Sequence, residues 1–167
     1  MGKLQKKNKN PKRKQQVKKN NRHAMEMALE HTLTVEEWEE VLLGFGNVCS
    51  LTGCKHRVSM EHFIPLSWGC EGSLLGNVFP LEKNLNSHKS NKNPFDWAKT
   101  QPEHIRQNFY KKVVPMLAWQ NNMTVAEFKK YVNWCDKNRR TLAQVKADNE
   151  KGVTSKDLFY KFLEKGV

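Results

Sequence analysis

The chain has 167 residues and a formal net charge of +12, which allows one domain with a hydrophobic core and suggests a polyanionic partner. No apolar run approaches the roughly 20 residues that span a bilayer, and the basic N-terminus lacks the apolar stretch of a secretory signal. We therefore expect a cytoplasmic protein that is neither secreted nor inserted in a membrane, with its four cysteines reduced.

The first 22 residues differ in composition from the rest of the chain. They hold ten Lys or Arg and no acidic residue, whereas the remaining residues carry 19 basic and 17 acidic side chains. Because the segment has almost no apolar side chains to bury, it is predicted to be a disordered basic tail. Two roles fit such a tail: a DNA-binding arm that includes Lys12, Arg13 and Lys14, and a solubilising extension.

Residues 34–81 predict one helix followed by strands. Thr34 and Glu37 have the spacing of a capping box, and apolar residues then recur at helical spacing as far as Gly44. The segment 47–81 is punctuated by glycines and contains short apolar stretches near Val58 and Val78, which is typical of strands joined by loops.

The segment after residue 81 is predicted to be helical. Residues 82–92 predict a short helix, and Asn93 followed by Pro94 predicts the start of another. Capping boxes are predicted to open three later helices, the first of which should kink or end at Pro115. The three boxes pair Thr100 with Glu103, Thr124 with Glu127, and Thr154 with Asp157. The tryptophans of this region, Trp97, Trp119 and Trp134, are expected in the core.

The segment that suggests chemistry begins with Glu61 and His62. A histidine suits the general base of phosphodiester hydrolysis at neutral pH, and carboxylate and amide oxygens suit a hard divalent cation. Adjacent strand residues point to opposite faces, so both side chains reach one phosphate only if the strand ends there and the chain bends. In a helix, Asn86 and Ser90 share a face with Lys89 beside them, while His88 points away from it.

The order of these residues resembles the HNH nucleases and their ββα-metal motif, and it resembles most the small phage-encoded and homing-type members. The similarity covers roughly residues 47–97 and consists of Glu-His-x-Ile-Pro-Leu-Ser, then Gly-Asn, then Asn-x-x-Lys-Ser-Asn-Lys. Asn77 follows His62 by 15 residues, and Asn86 follows Asn77 by nine. A lone Glu-His pair is common and is usually a surface pair, so the combined spacing carries the resemblance.

The resemblance implies a role for each matched residue. His62 would be the general base, Glu61 and Asn86 would bind one divalent metal, and Asn77 would steady the loop that carries His62. The expected metal is Mg²⁺, with Mn²⁺ or Ni²⁺ as alternatives, and it would stabilise the 3′ leaving oxygen. Lys89 and Lys92 would contact the phosphates of double-stranded DNA.

The sequence departs from the family in two ways. Asp is commoner than Glu before the base, and the paired Cys-x-x-Cys motifs that hold structural zinc in many members are absent. Four residues could still form a tetrahedral site, but without zinc-type spacing on the second side we do not expect structural zinc. These residues are Cys49, Cys54, His56 and Cys70.

We therefore predict an α+β fold with a small ββα centre embedded among helices. The predicted organisation is a disordered tail over 1–22, an HNH nuclease domain with a bracing helix over 23–100, and a C-terminal helical extension over 101–167. The leading hypothesis is a metal-dependent DNA endonuclease. Two alternatives stay open: a lapsed HNH-like nucleic-acid-binding protein with a packaging or regulatory role, and a structural zinc module that binds a protein partner.

Overall fold

The computed structural model describes residues 10–166, in which helices surround a two-stranded antiparallel sheet. The α+β class expected from the sequence is confirmed. Within the described chain the elements are, in order, α1 (Pro11–Glu26), α2 (Val35–Gly44), β1 (Val58–His62), a 3-10 turn (Leu66–Trp68), β2 (Val78–Glu82), α3 (Lys83–Lys89), α4 (Pro94–Lys99), α5 (Glu103–Asn108), a π-helical turn (Phe109–Val113), α6 (Val114–Gln120), α7 (Val125–Lys137), α8 (Leu142–Glu150) and α9 (Ser155–Lys165). No helix in residues 10–166 is both long and apolar enough to cross a membrane.

The basic N-terminal segment is helical where the structure describes it. The prediction of a disordered tail over residues 1–22 is therefore wrong for residues 11–22, while residues 1–9 lie outside the described part of the chain. Asn10 caps the helix, since its side chain accepts a hydrogen bond from the backbone two residues on. Pro11 occupies the first helical position.

Tertiary contacts explain why α1 forms despite its polar composition. Val17 and Ala24 are buried, and Gln16 Oε1 accepts a hydrogen bond from Trp38 Nε1 of α2 at 3.0 Å. Most of the stability of a helix in a protein comes from such packing rather than from intrinsic propensity. Two apolar residues are too few to reveal this helix in the composition of the segment.

The two strands predicted from the short apolar stretches near Val58 and Val78 pair as an antiparallel hairpin. His62 pairs with Val78 and Glu61 pairs with Phe79 in antiparallel register. Helix α3 follows β2 directly and confirms the short helix predicted within 82–92. The helix ends at Lys89 because Ser90 adopts a positive φ of 49°. The end of β1 and the exposed residues that follow α3 lie close together.

The C-terminal helices confirm most of the predicted helix starts. Helix α4 begins after the Asn93 cap, and complete capping boxes open α7 and α9. The box predicted from Thr100 is wrong, because its hydroxyl donates to Trp97 O and α5 starts after Pro102 without a side-chain cap. Pro115 does not end the helical path, since the π turn precedes it and it lies in the first turn of α6. Helix α8 was not predicted.

One hydrophobic cluster joins the hairpin to the C-terminal helices. Phe63, which follows His62, has its ring centroid 5.4 to 5.9 Å from those of Phe79, Phe95, Phe109 and Phe128. The boundary expected between residues 100 and 101 therefore does not separate two cores. Trp97 and Trp134 are buried as expected, but Trp119 is 77% exposed, so its prediction as a core residue is wrong.

Candidate active site

Glu61, His62 and Asn86 line one cleft with a volume of about 400 Å³. Glu61 and His62 reach the same cleft because β1 ends at His62 and the chain then turns away. Asn86 is presented from the middle of α3. The other lining residues come from the loop after β1, the turn after α3 and the end of α1: Pro65, Leu66, Ser67, Ser90, Asn91 and His23. The three side chains expected to converge are therefore neighbours.

Asn77 holds the loop that follows His62. Its Oδ1 accepts a hydrogen bond from Ile64 N at 2.8 Å, and its Nδ2 donates to Ile64 O at 3.0 Å and to Gly72 O at 2.9 Å. Its backbone carbonyl accepts from Phe63 N at 2.8 Å. Asn77 is only 1% exposed and does not line the cleft. Its position suits the steadying of the loop rather than contact with reacting atoms.

His62 is 9% exposed, and its Nε2 lies 3.2 Å from the hydroxyl of Ser73. Burial lowers the pKa of His62 to about 3, with smaller contributions from the positive charge of Lys89 and from His23. The imidazole is consequently neutral at pH 7. A neutral imidazole has one nitrogen that donates and one that accepts, so it can take up a proton.

A buried ion pair lies beneath the cleft. Lys89 Nζ donates to Glu61 Oε1 at 2.6 Å and to the carbonyl oxygen of His62 at 2.9 Å. Burial raises the pKa of the Glu61 carboxyl, although the neighbouring ammonium opposes the shift, and the same burial lowers the pKa of Lys89. Lys89 is completely buried. The prediction that it contacts phosphate is therefore wrong for this structure, and its contacts assign it to positioning the Glu-His pair.

Asn86 turns its amide group so that the nitrogen faces β1. Its Nδ2 donates to Ser59 Oγ at 3.1 Å and to Met60 O at 3.5 Å, which leaves the amide oxygen as the atom that could bind a cation. His88 lies on the other side of α3, where its Nδ1 accepts a hydrogen bond from Trp97 Nε1 at 3.2 Å. The expectation that His88 points away from the Asn86 face is confirmed.

The other predicted phosphate contacts lie in different surroundings. Lys12, Lys14 and Lys92 are exposed, and Lys92 Nζ donates to the carbonyl of His88 at 2.8 Å. Arg13 is half-buried, because its guanidinium lies 3.5 Å from the Glu39 carboxylate and also donates to Asn47. Arg13 is therefore bound within the protein, whereas the three lysines are accessible.

Two residues of the site escaped the sequence analysis. His23 stands at the end of α1, and only a helical interpretation of residues 11–26 would have brought it near the cleft. Ser73 lies 11 residues after His62 in a loop, and nothing in the local sequence marks it as a partner of the imidazole. Both depend on how distant segments pack.

The cysteines do not assemble the four-residue zinc site considered from the sequence. Cys70 Sγ lies 3.8 Å from the carbonyl oxygen of Cys135, and Cys49 N donates a hydrogen bond to Cys54 O at 2.8 Å. Among residues 10–166, no group of three or more His, Cys, Asp or Glu side chains is arranged to hold a metal ion. Any cation at the cleft would therefore rely on Glu61, an amide oxygen, water and the substrate.

Comparisons of the chain with protein-family models, with curated proteins and with solved structures found no match. The geometry of the cleft and the pattern of the sequence motif are thus the observations from which a function is inferred.

Proposed function

We propose that this protein is an HNH-type, metal-dependent endonuclease that hydrolyses phosphodiester bonds in double-stranded DNA. The observation that carries the proposal is that Glu61, His62 and Asn86 line one cleft. Glu61 and His62 are the last two residues of β1, and Asn86 lies in α3, the helix that directly follows β2. This order of two strands and a helix is the one that a ββα-metal motif requires.

His62 is suited to act as the general base. If Nε2–H donates to Ser73 Oγ, the neutral ring carries its lone pair on Nδ1, and that nitrogen accepts a proton from the attacking water. The lowered pKa keeps the imidazole unprotonated at neutral pH, and it also makes the ring a weaker base than a free histidine. Ser73 would then select the tautomer, as the partner of a catalytic histidine commonly does.

Glu61 and Asn86 would hold a divalent cation, with Mg²⁺ as the expected ion and Mn²⁺ or Ni²⁺ as alternatives. The donor set fits a hard cation, because Mg²⁺ is usually bound through one or two carboxylates together with water and phosphate oxygens. Such a cation would neutralise charge on the phosphate and on the 3′ leaving oxygen. Lys89 Nζ donates a hydrogen bond to Glu61 Oε1, and this bond orients the carboxylate toward the cleft.

Cleavage of supercoiled plasmid tests the proposal directly. The parent should cut with Mg²⁺, Mn²⁺ or Ni²⁺ and should stop when the metal is chelated. The variant His62→Ala should cut at least about 100-fold more slowly, which is the lower range for the loss of a general base. His104→Ala is the matched control, since His104 is exposed on α5 and does not line the cleft. Equal rates for His62→Ala and the parent would exclude the mechanism.

A second candidate function is a nucleic-acid-binding protein whose HNH-like site has lapsed. The observation that favours it is the ion pair itself, because Lys89 already supplies a positive charge to Glu61 at 2.6 Å. A lapsed site predicts salt-sensitive binding of DNA without metal and no cleavage with any of the three ions. The plasmid assay therefore separates the two candidates.

A further inference from the structure

A basic groove runs beside α1 and ends close to the cleft. The groove has a volume of about 640 Å³, and its lining includes Val58, the first residue of β1, together with Lys12, Lys18, Lys19 and Arg22 of α1. The cleft is lined by the last residues of the same two elements, His23 of α1 and Glu61 and His62 of β1. Groove and cleft are therefore both lined by residues of α1 and β1, and Arg22 of the groove is followed directly by His23 of the cleft.

Two basic residues of the groove, Lys12 and Lys19, lie on one line of α1 with His23 of the cleft, whereas Lys18 and Arg22 lie about 120° and about 80° around the helix from Lys12. At about 100° per residue, positions separated by seven and eleven residues return to within roughly 20° of the same line along a helix. Lys12, Lys19 and His23 have these separations. The rise of about 1.5 Å per residue places Lys12 roughly 16 Å along the helix axis from His23.

The charge of the basic residues that line the groove is largely uncompensated within the described chain. Among residues 10–166, no carboxylate forms an ion pair with Lys12, Lys18 or Lys19. Arg22 lies 3.7 Å from Glu26, but both side chains are more than half exposed. A pair this exposed contributes little to stability, so the guanidinium is available to an external anion.

We propose that this groove binds the sugar-phosphate backbone of a nucleic-acid strand that leaves the cleft toward the N-terminal end of α1. The proposal rests on the proposed function only for the position of the scissile phosphate at the cleft. Cations distributed along the length of a helix suit a ligand with regularly repeated charge. With about 3.4 Å per nucleotide along a duplex axis, the distance from Lys12 to His23 corresponds to roughly five nucleotides.

The test measures binding in the absence of cleavage. A fluorescent DNA duplex is titrated with His62→Ala protein in the presence of a chelator, over a series of salt concentrations. Removing Lys12, Lys19 and Arg22 together by substitution with Gln should lower the slope of log affinity against log salt by about 2.7, since each lost phosphate contact contributes about 0.9. The loss of one phosphate contact should therefore weaken binding at 0.1 M salt about eightfold, which is a slope of about 0.9 over the tenfold step from 1 M.

The matched control removes the same charge elsewhere. Lys111, Lys112 and Lys130 are exposed and line neither the groove nor the cleft, so their joint substitution with Gln should leave the slope nearly unchanged. Glu26→Gln should tighten binding, because it removes the carboxylate that competes for Arg22. Far-ultraviolet circular dichroism verifies that every variant is folded. Equal slopes for the two triple variants would overturn the proposal.

Competitors identify the ligand, and cleavage assays separate the two proposals. Single-stranded DNA, duplex RNA and poly-glutamate are added to the labelled duplex, and a nucleic acid should displace it far better than poly-glutamate at equal charge. Equal displacement by poly-glutamate would mean a general anion surface and would overturn the proposal. If the slope falls as expected but the parent cuts no plasmid, the groove stands and the nuclease proposal fails.

Discussion

Lys89 Nζ lies 2.6 Å from Glu61 Oε1 and 2.9 Å from the carbonyl oxygen of His62, so one buried ammonium contacts both residues of the Glu-His pair. The side chain of Lys89 is inaccessible to solvent, whereas that of Glu61 retains 12% exposure toward the cleft. The pair thus joins α3 to the end of β1. It also sets the orientation of the carboxylate that would bind the metal.

Lys89→Met should destabilise the protein by about 3 kcal/mol, because removing one partner leaves the Glu61 carboxyl buried without its counter-charge. Glu61→Gln should also destabilise it by leaving the ammonium unpaired. In the double variant the two losses should not add, and a coupling energy of about 1–3 kcal/mol is expected for residues in direct contact. Urea unfolding of the parent, the two single variants and the double variant measures this cycle. Strictly additive losses in the free energy of unfolding would show that Lys89 and Glu61 do not stabilise each other.

Asn77→Ala should loosen the loop that carries His62. The side chain makes three hydrogen bonds in a buried setting, to Ile64 N, Ile64 O and Gly72 O, and each buried group left unpaired costs about 1–3 kcal/mol. Hydrogen exchange of the Ile64 amide should accelerate, and cleavage should slow in parallel. Asn84→Ala, at an exposed position of α3, is the control. Unchanged protection of the Ile64 amide would refute this role of Asn77.

The stability of the protein should depend on pH through His62. The pKa of His62 is about 3 in the folded protein against 6.5 for the free side chain, so the unfolded chain binds the extra proton between these values. Its contribution to stability is therefore complete above pH 6.5 and is lost as pH falls toward 3, by at most about 1.4 kcal/mol per pH unit. Glu61 and Glu71 have pKa values raised by burial, so their protonation stabilises the folded protein as pH falls and opposes the effect of His62.

The comparison of His62→Gln with the parent isolates this dependence. The variant should lose less free energy of unfolding than the parent between pH 6.5 and pH 3, because it has no imidazole to protonate. His104→Gln serves as the control for replacing an exposed histidine. A variant curve parallel to that of the parent would mean that His62 is not held neutral by burial.

Gly72→Ala should disrupt the contact between the α1–α2 connection and the loop that carries Ser73. A Cβ at Gly72 would lie 1.8 Å from the carbonyl oxygen of Glu30, the same oxygen that accepts a hydrogen bond from Ser73 N. We expect a loss of about 3 kcal/mol in the free energy of unfolding and slower cleavage, because the partner of His62 moves.

Gly44→Ala is the matched control, since a Cβ at Gly44, the last residue of α2, would meet no atom within 4 Å. This substitution should be neutral or should stabilise the protein by up to about 1 kcal/mol. Thermal unfolding of both variants makes the comparison. An intact Gly72→Ala protein with the melting temperature of the parent would show that the two segments are not tightly packed.

Local patterns in the sequence were sufficient to predict the parts of the fold that depend on short-range physics. Capping boxes at Thr34, Thr124 and Thr154 mark helix starts, because a side chain satisfies a backbone amide three residues on. Short apolar stretches punctuated by glycines indicated the two strands. The family resemblance, rather than local physics, led to the expectation that Glu61, His62 and Asn86 lie together, and all three line one cleft.

Tertiary structure decided the features that depend on distant partners. The basic segment before residue 23 is helical because Val17 and Ala24 find apolar neighbours in other segments, which its own composition does not reveal. Lys89 is buried where it forms an ion pair with the carboxylate of Glu61. The imidazole of His62 contacts the hydroxyl of Ser73, which lies 11 residues later in a loop. The sequence by itself determined which residues could carry out the chemistry, and packing determined which of them meet.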